Sequence, residues 1–504
     1  MTSDNTSWWV ASTPDTDFPA LAGDARTGVA VLGGGIAGLT TALLLARAGR
    51  QVTLVEADRL ARGVSGYTTA KVTVQHNLVY ADLAKRHGAD AARLYAESQC
   101  RALDWLRDTA GAASCELEPV PSLVYTESLD DTETVNEEVE AARRAGLPME
   151  HVTSSGLPWG IRAGALLPDQ LQFHPRQYLL ALADAFVAAG GEVVEQTRAL
   201  DVSDAEDGLV VQTDHGDLSC EDVVVATHYP FLDRGLLFAR LSAYRDVVVA
   251  ATIDADRDPG VMAISTGSEE GGTHSVRTAP YRDGKRLLIV TGGQYKTGKD
   301  VSVEERYDGL AAWTQERFPG ADQVHRWSTQ DTSSVDRLPY IGQLPLAGEH
   351  TWVATGFNAW GMTNGTLSGL VLADLVLGRA NPYAELYAPD RSTLRASASK
   401  AVKENADVAR ELVGGMLRPG LTGMHELLPG EAGVFLRAEG RTAAFRDEEG
   451  TLHCVSARCT HLGCTVRWND GERSWDCPCH GSRFAFTGEV LNGPAVHPLE
   501  PHDA

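Results

Sequence analysis

Two short boxes near the C-terminus, Cys459-Thr-His461-Leu-Gly-Cys464 and Cys477-Pro-Cys479-His480-Gly-Ser482, each pair a thiol with an imidazole. Residues 462–476 separate His461 from Cys477. A [2Fe–2S] cluster with two thiolates on one iron and two imidazoles on the other needs this set: Cys459 and Cys477, His461 and His480. Two loops that each present one Cys and one His can cover such a cluster from opposite sides. The second pair, Cys464 and Cys479, stands on the same loops and could tie them together as a disulfide. A zinc site would also use four mixed ligands, but it leaves the second Cys pair and the Gly after His480 without a role. A cluster of this type moves single electrons and makes no bonds. The long chain before it must therefore carry the chemistry that feeds it.

That chain opens on a nucleotide site. Val29-Ala-Val-Leu32 reads as a buried strand, followed by Gly33-Gly-Gly35-Ile36-Ala37-Gly38 and a helix over 39–48. Gln51-Val-Thr-Leu-Val-Glu56 reads as a second strand ending in an acid. Glycines there let the backbone approach a pyrophosphate at the helix N-terminus, and Glu56 can accept from ribose hydroxyls. FAD and NAD share this fingerprint, so later segments decide between them. Gly63-Val-Ser65-Gly66-Tyr67-Thr68-Thr69-Ala70-Lys71 is a small, hydroxyl-rich loop suited to close passage over a flavin. Residues 80–145 read as helical, with Leu83, Leu94, Ala102, Leu103 and Leu106 as a buried face. Strands resume at 191–194, 209–213 and 223–227, the last a parallel-type buried run. Gly356-Phe357-Asn358-Ala-Trp360-Gly361-Met362-Thr363-Asn-Gly365 follows a strand at 351–355 and opens a helix over 367–377. This second helix N-terminus can face the electron-rich end of a flavin.

Composition bounds these readings. A chain of 504 residues calls for two or three domains, and 43% hydrophobic content with 50 Gly fits a globular enzyme. The net charge of −24 argues against nucleic acid and anionic membrane as partners. Eight Arg, no Lys and twelve acids lie from residue 418 onward, so the tail holds −4 and the front part −20. Five of the eight Cys fall within 454–479, which is no secreted disulfide framework. No signal peptide is visible at the N-terminus, and a cytoplasmic location is expected. The apolar run 29–46 nears membrane-spanning length, but Gly33-Gly34-Gly35 makes it strand, turn and helix rather than a membrane span.

The boxes resemble those of Rieske domains, of the kind with a loop disulfide (here Cys464 and Cys479) found in quinol-oxidising chains. In that kind a Ser after the His-Gly and a Tyr two residues later raise the cluster's potential through hydrogen bonds; here they are Ser482 and Phe484. The missing hydroxyl implies a potential below the top of the range. Residues 27–380 resemble, in pieces, the FAD-dependent oxidoreductases of the D-amino-acid oxidase/glycine oxidase type. The pieces are the glycine fingerprint, the 65–71 loop, Asp336-Arg337-Leu338-Pro339-Tyr340-Ile341-Gly342, and the 356–365 segment.

The resemblance implies an α/β fold: a Rossmann-like FAD-binding domain interleaved with an antiparallel-sheet substrate domain, then a small all-β Rieske domain. It divides the chain into an extension (1–26), an oxidoreductase part (27–383), a helical connector (384–417) and the Rieske part (418–504). Residues 80–190 and 228–330 would supply most of the substrate domain, and a helix over 395–413 would pack on the flavin domain. FAD would meet Gly33, Gly35, Ile36, Ala37, Gly38, Glu56, Ser65, Gly66, Thr68, Thr69, Ala70, Gly356, Phe357, Gly361, Met362 and Thr363.

FAD accepts two electrons as a hydride and can release them singly, which joins a two-electron oxidation to a one-electron centre. The expected activity is oxidation of a small substrate, an amine or amino acid by resemblance, with electrons leaving to a protein carrier or quinone. Catalytic residues are open: His76, Tyr244, Arg245 and Arg337 are candidates, with Arg282, Lys296, His174 and His228 behind them. An electron-transfer or redox-sensing protein without a small substrate is the other reading, to be told apart by whether a substrate cavity covers the flavin. A Rieske oxygenase would need a mononuclear iron site of two His and a carboxylate, which no helix here carries.

Overall fold

The computed structural model describes residues 5–267, 272–391, 405–412, 414, 423–438 and 440–503. Val29–Leu32, Val52–Val55 and Asp222–Val225 are buried along their whole length, as strands covered on both faces must be. They form the centre of a six-stranded sheet, in the order Glu192–Val194, Val52–Val55, Val29–Leu32, Asp222–Val225, Thr351–Thr355, Tyr340–Gln343. The first five strands are parallel and the last is antiparallel. Val29, Val31 and Leu54 face the helices Ile36–Arg47, Pro175–Ala188 and Gly361–Val376 in one apolar core. Ala30, Leu32 and Val55 face a four-stranded sheet (Ala25–Arg26, Gly216–Cys220, Gly208–Thr213, Ala199–Ala205) in another.

The interleaved unit is an eight-stranded sheet in the order Asp322–Ser334, Leu241–Ile253, Arg286–Lys296, Ser275–Pro280, Met262–Ser265, Ser122–Thr126, Ala163–Leu167, Glu150–Val152. Every pairing is antiparallel except Met262–Ser265 with Ser122–Thr126, where the two sequence blocks that build the sheet meet. The stretch 80–145 is not helical throughout. Helices Val79–His87, Ala89–Gly111 and Thr132–Arg144 are interrupted by Glu118–Pro119 and Ser122–Thr126. Ser-Leu-Val-Tyr-Thr is a short apolar run, and periodicity alone does not tell such a run from a buried helical segment. Leu83, Ala102, Leu103 and Leu106 are buried, while Leu94 is half-buried. The helix expected at 367 begins six residues earlier, at Gly361.

Residues 5–26 are knit into the molecule. Trp9 is fully buried and its indole Nε1 donates to the Thr68 carbonyl at 2.6 Å, while the Ser7 hydroxyl donates to Gly66 at 2.5 Å. At the other end, the strands Ala432–Arg437, Gly440–Arg446 and Leu452–Ser456 form one antiparallel sheet. Arg467–Asn469, Ser474–Asp476, Arg483–Ala485 and Val490–Asn492 form a second. Phe445, Val455, Val466, Trp475 and Phe484 fill the core between them.

Of the connector, the helix Ala384–Tyr387 and the helical residues 405–412 are described. The expected helix over 395–413 otherwise lies outside the described residues. Val408 and Leu412 pack on the C-terminal core, and Glu411 bonds both Lys299 and Arg467, so this helix touches both halves rather than the flavin half alone. Among the described residues, no helix is long and apolar enough to cross a membrane.

Candidate functional site

Both boxes sit on loops of the C-terminal unit, Cys459 to Cys464 before the strand Arg467–Asn469 and Cys477 to Ser482 between Ser474–Asp476 and Arg483–Ala485. Tight turns shape them: Gly463 and Gly481 have φ of +80° and +81°. The loops are tied at their tips by a Cys464–Cys479 disulfide with Cα atoms 6.5 Å apart. The thiols of Cys459 and Cys477 are buried side by side, and the Ser482 hydroxyl, next to Cys459, accepts from the Ala495 N–H at 3.0 Å. Phe484 is fully buried in the same cluster of side chains. The sulfurs of Cys464, Cys477 and Cys479 also lie within 4.8 Å of one another, but the disulfide uses two of the three.

The rings of His461 and His480 meet edge to face at 4.9 Å, and the buried His480 Nδ1 has no hydrogen-bond partner. An orphaned imidazole nitrogen beside two facing thiols is costly unless a metal takes its lone pair. The donor set, two sulfurs and two imidazoles, fits a [2Fe–2S] cluster.

One cavity of about 1310 Å³ runs from the glycine fingerprint to this unit. It exceeds the usual 300–1,000 Å³ of a small-ligand pocket, as room for a dinucleotide plus a substrate requires. Gly33, Gly35, Ile36, Ala37, Glu56, Ser65, Thr68, Thr69, Phe357, Gly361 and Met362 line it. The helix Ile36–Arg47 starts at Gly35 without a side-chain cap, leaving its first N–H groups toward the cavity, where Ser65 Oγ meets the Ile36 N–H at 3.2 Å. Glu56 accepts from the Gly34 and Asp58 N–H groups at 2.7 and 3.0 Å, and burial raises its pKa. These residues fit FAD.

Gly38, Gly66, Ala70, Gly356 and Thr363 are not among the lining residues. Gly38 and Gly66 pack against backbone behind the wall. A Cβ on Gly38 would meet the Gly33 carbonyl at 1.9 Å, and one on Gly66 the Ala61 carbonyl at 2.1 Å, so these glycines permit close backbone packing.

The catalytic candidates separate. His76 lines the cavity, stacked on Trp360 at 4.9 Å. Its Nε2 faces the Thr73 carbonyl and Thr363 hydroxyl at 2.9 Å, and Nδ1 faces the Tyr95 hydroxyl at 2.5 Å. A carbonyl only accepts, so Nε2 carries the proton and Nδ1 accepts from Tyr95. Burial lowers the His76 pKa to about 3. It is a neutral, fully partnered ring, a poor base.

Arg245 reaches the cavity wall but is committed to other partners. Its guanidinium bonds Ser328, Tyr295 at 3.2 Å and Glu472 of the C-terminal unit at 3.2 Å. Tyr244, Lys296, Arg282 and His174 are not among the described lining residues. Arg282 stacks over Trp8, and His174 caps the helix Pro175–Ala188 while its Nε2 meets Ser12 at 2.9 Å. His228 lines the cavity beside Asp331 at 3.4 Å, and Arg337 lines it with an exposed side chain.

Several residues carry weight that the sequence reading missed. Lys71 lines the cavity, and its buried ammonium donates to the Ala263 carbonyl; burial holds its pKa well below the usual range. Arg277, also buried, donates to the Thr69 and Ala70 carbonyls at 3.0 and 2.6 Å, and burial lowers its pKa to about 9. Trp9 lies against it, 5.2 Å from ring centroid to guanidinium. Asp246, whose pKa burial raises to about 6, lines the cavity with Asp331. Lys71 stood in the flavin loop and Trp8-Trp9 was a visible pair, whereas nothing local marks Arg277 or Asp246.

The comparisons with known proteins agree with this geometry. A family model described as FAD dependent oxidoreductase, of the D-amino-acid oxidase (DAO) type, matches residues 28–375, and one described as Rieske [2Fe-2S] domain matches 421–503. The chain belongs to the DAO family of FAD-dependent oxidoreductases, with a Rieske domain at its C-terminal end, and its cofactors are FAD and a [2Fe–2S] cluster. It is 35% identical over 499 residues to YhfW of Bacillus subtilis (strain 168), a protein named for a Rieske 2Fe-2S centre, covering 98% of this chain and 97% of that one. In structure it is similar to glycine oxidase from Geobacillus kaustophilus (TM-score 0.58, 21% identity, 73% of this chain and 99% of that one). L-proline dehydrogenase from P. horikoshii is comparable (TM-score 0.60, 17% identity, 74% and 98%).

Proposed function

We propose that this protein oxidises a small amine or amino acid at the flavin and passes the electrons singly, through a cluster held by Cys459, His461, Cys477 and His480, to an external carrier or quinone. When bound, FAD supplies a hydride acceptor that can release electrons one at a time. The observation that carries the reading is continuity. Tyr229 lines the flavin cavity, and its ring lies 6.5 Å from that of His480. The cavity itself favours an enzyme over a carrier, since it extends beyond the glycine fingerprint along the wall that carries Asp246, Asp331 and Arg337.

On the substrate side the wall is polar and acidic at Asp246 and Asp331, suited to an ammonium or amine, while Arg337 and His228 offer groups for a carboxylate or carbonyl. His76, neutral and doubly anchored, positions the wall rather than moving a proton. Anaerobic screening of amines and amino acids for bleaching of the flavin absorbance tests the proposal. Bleaching by at least one amine followed by cluster reduction is expected. Bleaching by none of them, with photoreduction of the flavin still reducing the cluster, would replace this reading with that of a substrate-free electron carrier.

A further inference from the structure

The imidazole edge of the cluster loops is turned inward, against the flavin half. Asp233 comes from the segment between the strand Asp222–Val225 and the turn Arg234–Ala239, far in sequence from the Rieske boxes. Its two carboxylate oxygens lie 2.8 and 3.0 Å from His461 Nε2. A carboxylate accepts, so Nε2 carries the proton, and Nδ1 is left with the lone pair that an iron would take. The His461 side chain is only 6% exposed although Asp233 is 40% exposed, so the bond closes over the ring from the solvent side.

The neighbouring His480 is covered by the same stretch of chain. Phe238 meets it edge to face at 5.7 Å and Tyr229 at 6.5 Å. The backbone packs as closely. A Cβ on Gly481 would meet that of Ala243 at 2.3 Å, and one on Gly298 would meet the Pro478 nitrogen at 2.4 Å.

A carboxylate bonded to the outer nitrogen of a metal-bound imidazole fixes the ring and raises its basicity. It also places negative charge beside a centre that gains negative charge on reduction. We propose that Asp233 is a positioning residue by which the flavin half holds the imidazole edge of the cluster and lowers its reduction potential while the two halves are docked. The docked, reduced cluster is thereby the stronger reductant. Potential and docking are coupled through one side chain. The inference stands on the cofactor set and is independent of which substrate the flavin oxidises.

The test uses the full chain loaded with FAD and cluster, the cluster potential being read by redox titration followed by EPR. Asp233→Asn removes the charge and keeps the shape, Asp233→Ala removes both, and Asp233→Glu keeps the charge. The potential should rise in the Asn and Ala variants and stay nearer the wild-type value in the Glu variant. Pulsed EPR should report an altered coupling to the outer nitrogen of a ligand His in the Asn and Ala variants. Leu236→Ala, an exposed change on the same turn, serves as control and should shift neither readout. Unchanged potentials in the Asn and Ala variants at wild-type iron and flavin content would overturn the inference. So would an equal shift in the Leu236 control, which would trace the effect to the turn and not to the carboxylate.

Discussion

Glu472 is the side chain on which docking of the two halves should depend most. It lies in the Rieske unit, yet accepts from Arg245 Nη2 at 3.2 Å and from the Tyr307 hydroxyl at 2.6 Å, both on the other half. Arg245 and Glu472 are only 2% and 10% exposed. Removing one partner of such a buried pair costs roughly 3–5 kcal/mol, because the other charge is left without compensation. Here the lower end applies, since Asp476 and Arg483 stay nearby, bonded to each other at 3.0 Å. A loss of about 3 kcal/mol loosens a docking equilibrium roughly 100-fold. Glu472→Ala should therefore slow cluster reduction after anaerobic photoreduction of the flavin, and should lower the temperature at which cluster absorbance is lost. Glu472→Gln, which can still accept one bond, should fall between Ala and wild type. Wild-type values for both readouts in Glu472→Ala would refute the view that this pair fixes the cluster against the flavin half.

Three further outcomes follow from single contacts. Trp9→Ala removes a fully buried ring and its bond to Thr68, at a cost of about 3–5 kcal/mol; FAD should be lost more readily on gel filtration, and wild-type retention would show that the N-terminal segment does not brace the flavin loop. His76 resists protonation in the fold, with a pKa of about 3 against an ordinary value near 6.5. Its contribution is complete above pH 6.5 and is lost as pH falls from 6.5 toward 3, because the unfolded chain takes up the proton first. The thermal midpoint should fall over that window, and His76→Gln should flatten the fall. Ser482→Ala removes a buried hydroxyl beside Cys459 and should lower the cluster potential, whereas an unchanged value in protein-film voltammetry of the holoprotein would show that this hydroxyl does not tune the cluster.

How much of this was legible depended on distance along the chain. Both Rieske boxes and the glycine fingerprint are local patterns whose spacing dictates a turn and its donors, and the loop disulfide follows from two Cys on neighbouring loops. The strands Val29–Leu32 and Thr351–Thr355 were readable because branched residues end at turn-forming glycines. The strand Ser122–Thr126 was not, since its apolar run lies between amphipathic helices and gains strand geometry only by pairing with Met262–Ser265 and Ala163–Leu167. The substrate-side residues were harder to choose for a related reason. Arg245 stood as a catalytic candidate in sequence, and only the fold reveals Glu472, more than two hundred residues away, as its partner. Asp233 is invisible for the same cause: a carboxylate in a loop signals nothing until another domain lays a histidine on it.

The central claim is that one chain carries FAD and a [2Fe–2S] cluster in electronic contact. Anaerobic photoreduction of the flavin with EDTA as electron donor, with flavin absorbance and the cluster EPR signal followed together, tests it without any substrate. Reduction of the flavin should be followed by appearance of the reduced-cluster signal in the wild-type protein, and His480→Ala should reduce its flavin without that signal. A wild-type flavin held fully reduced beside a cluster that stays oxidised, though dithionite reduces it directly, would contradict the account.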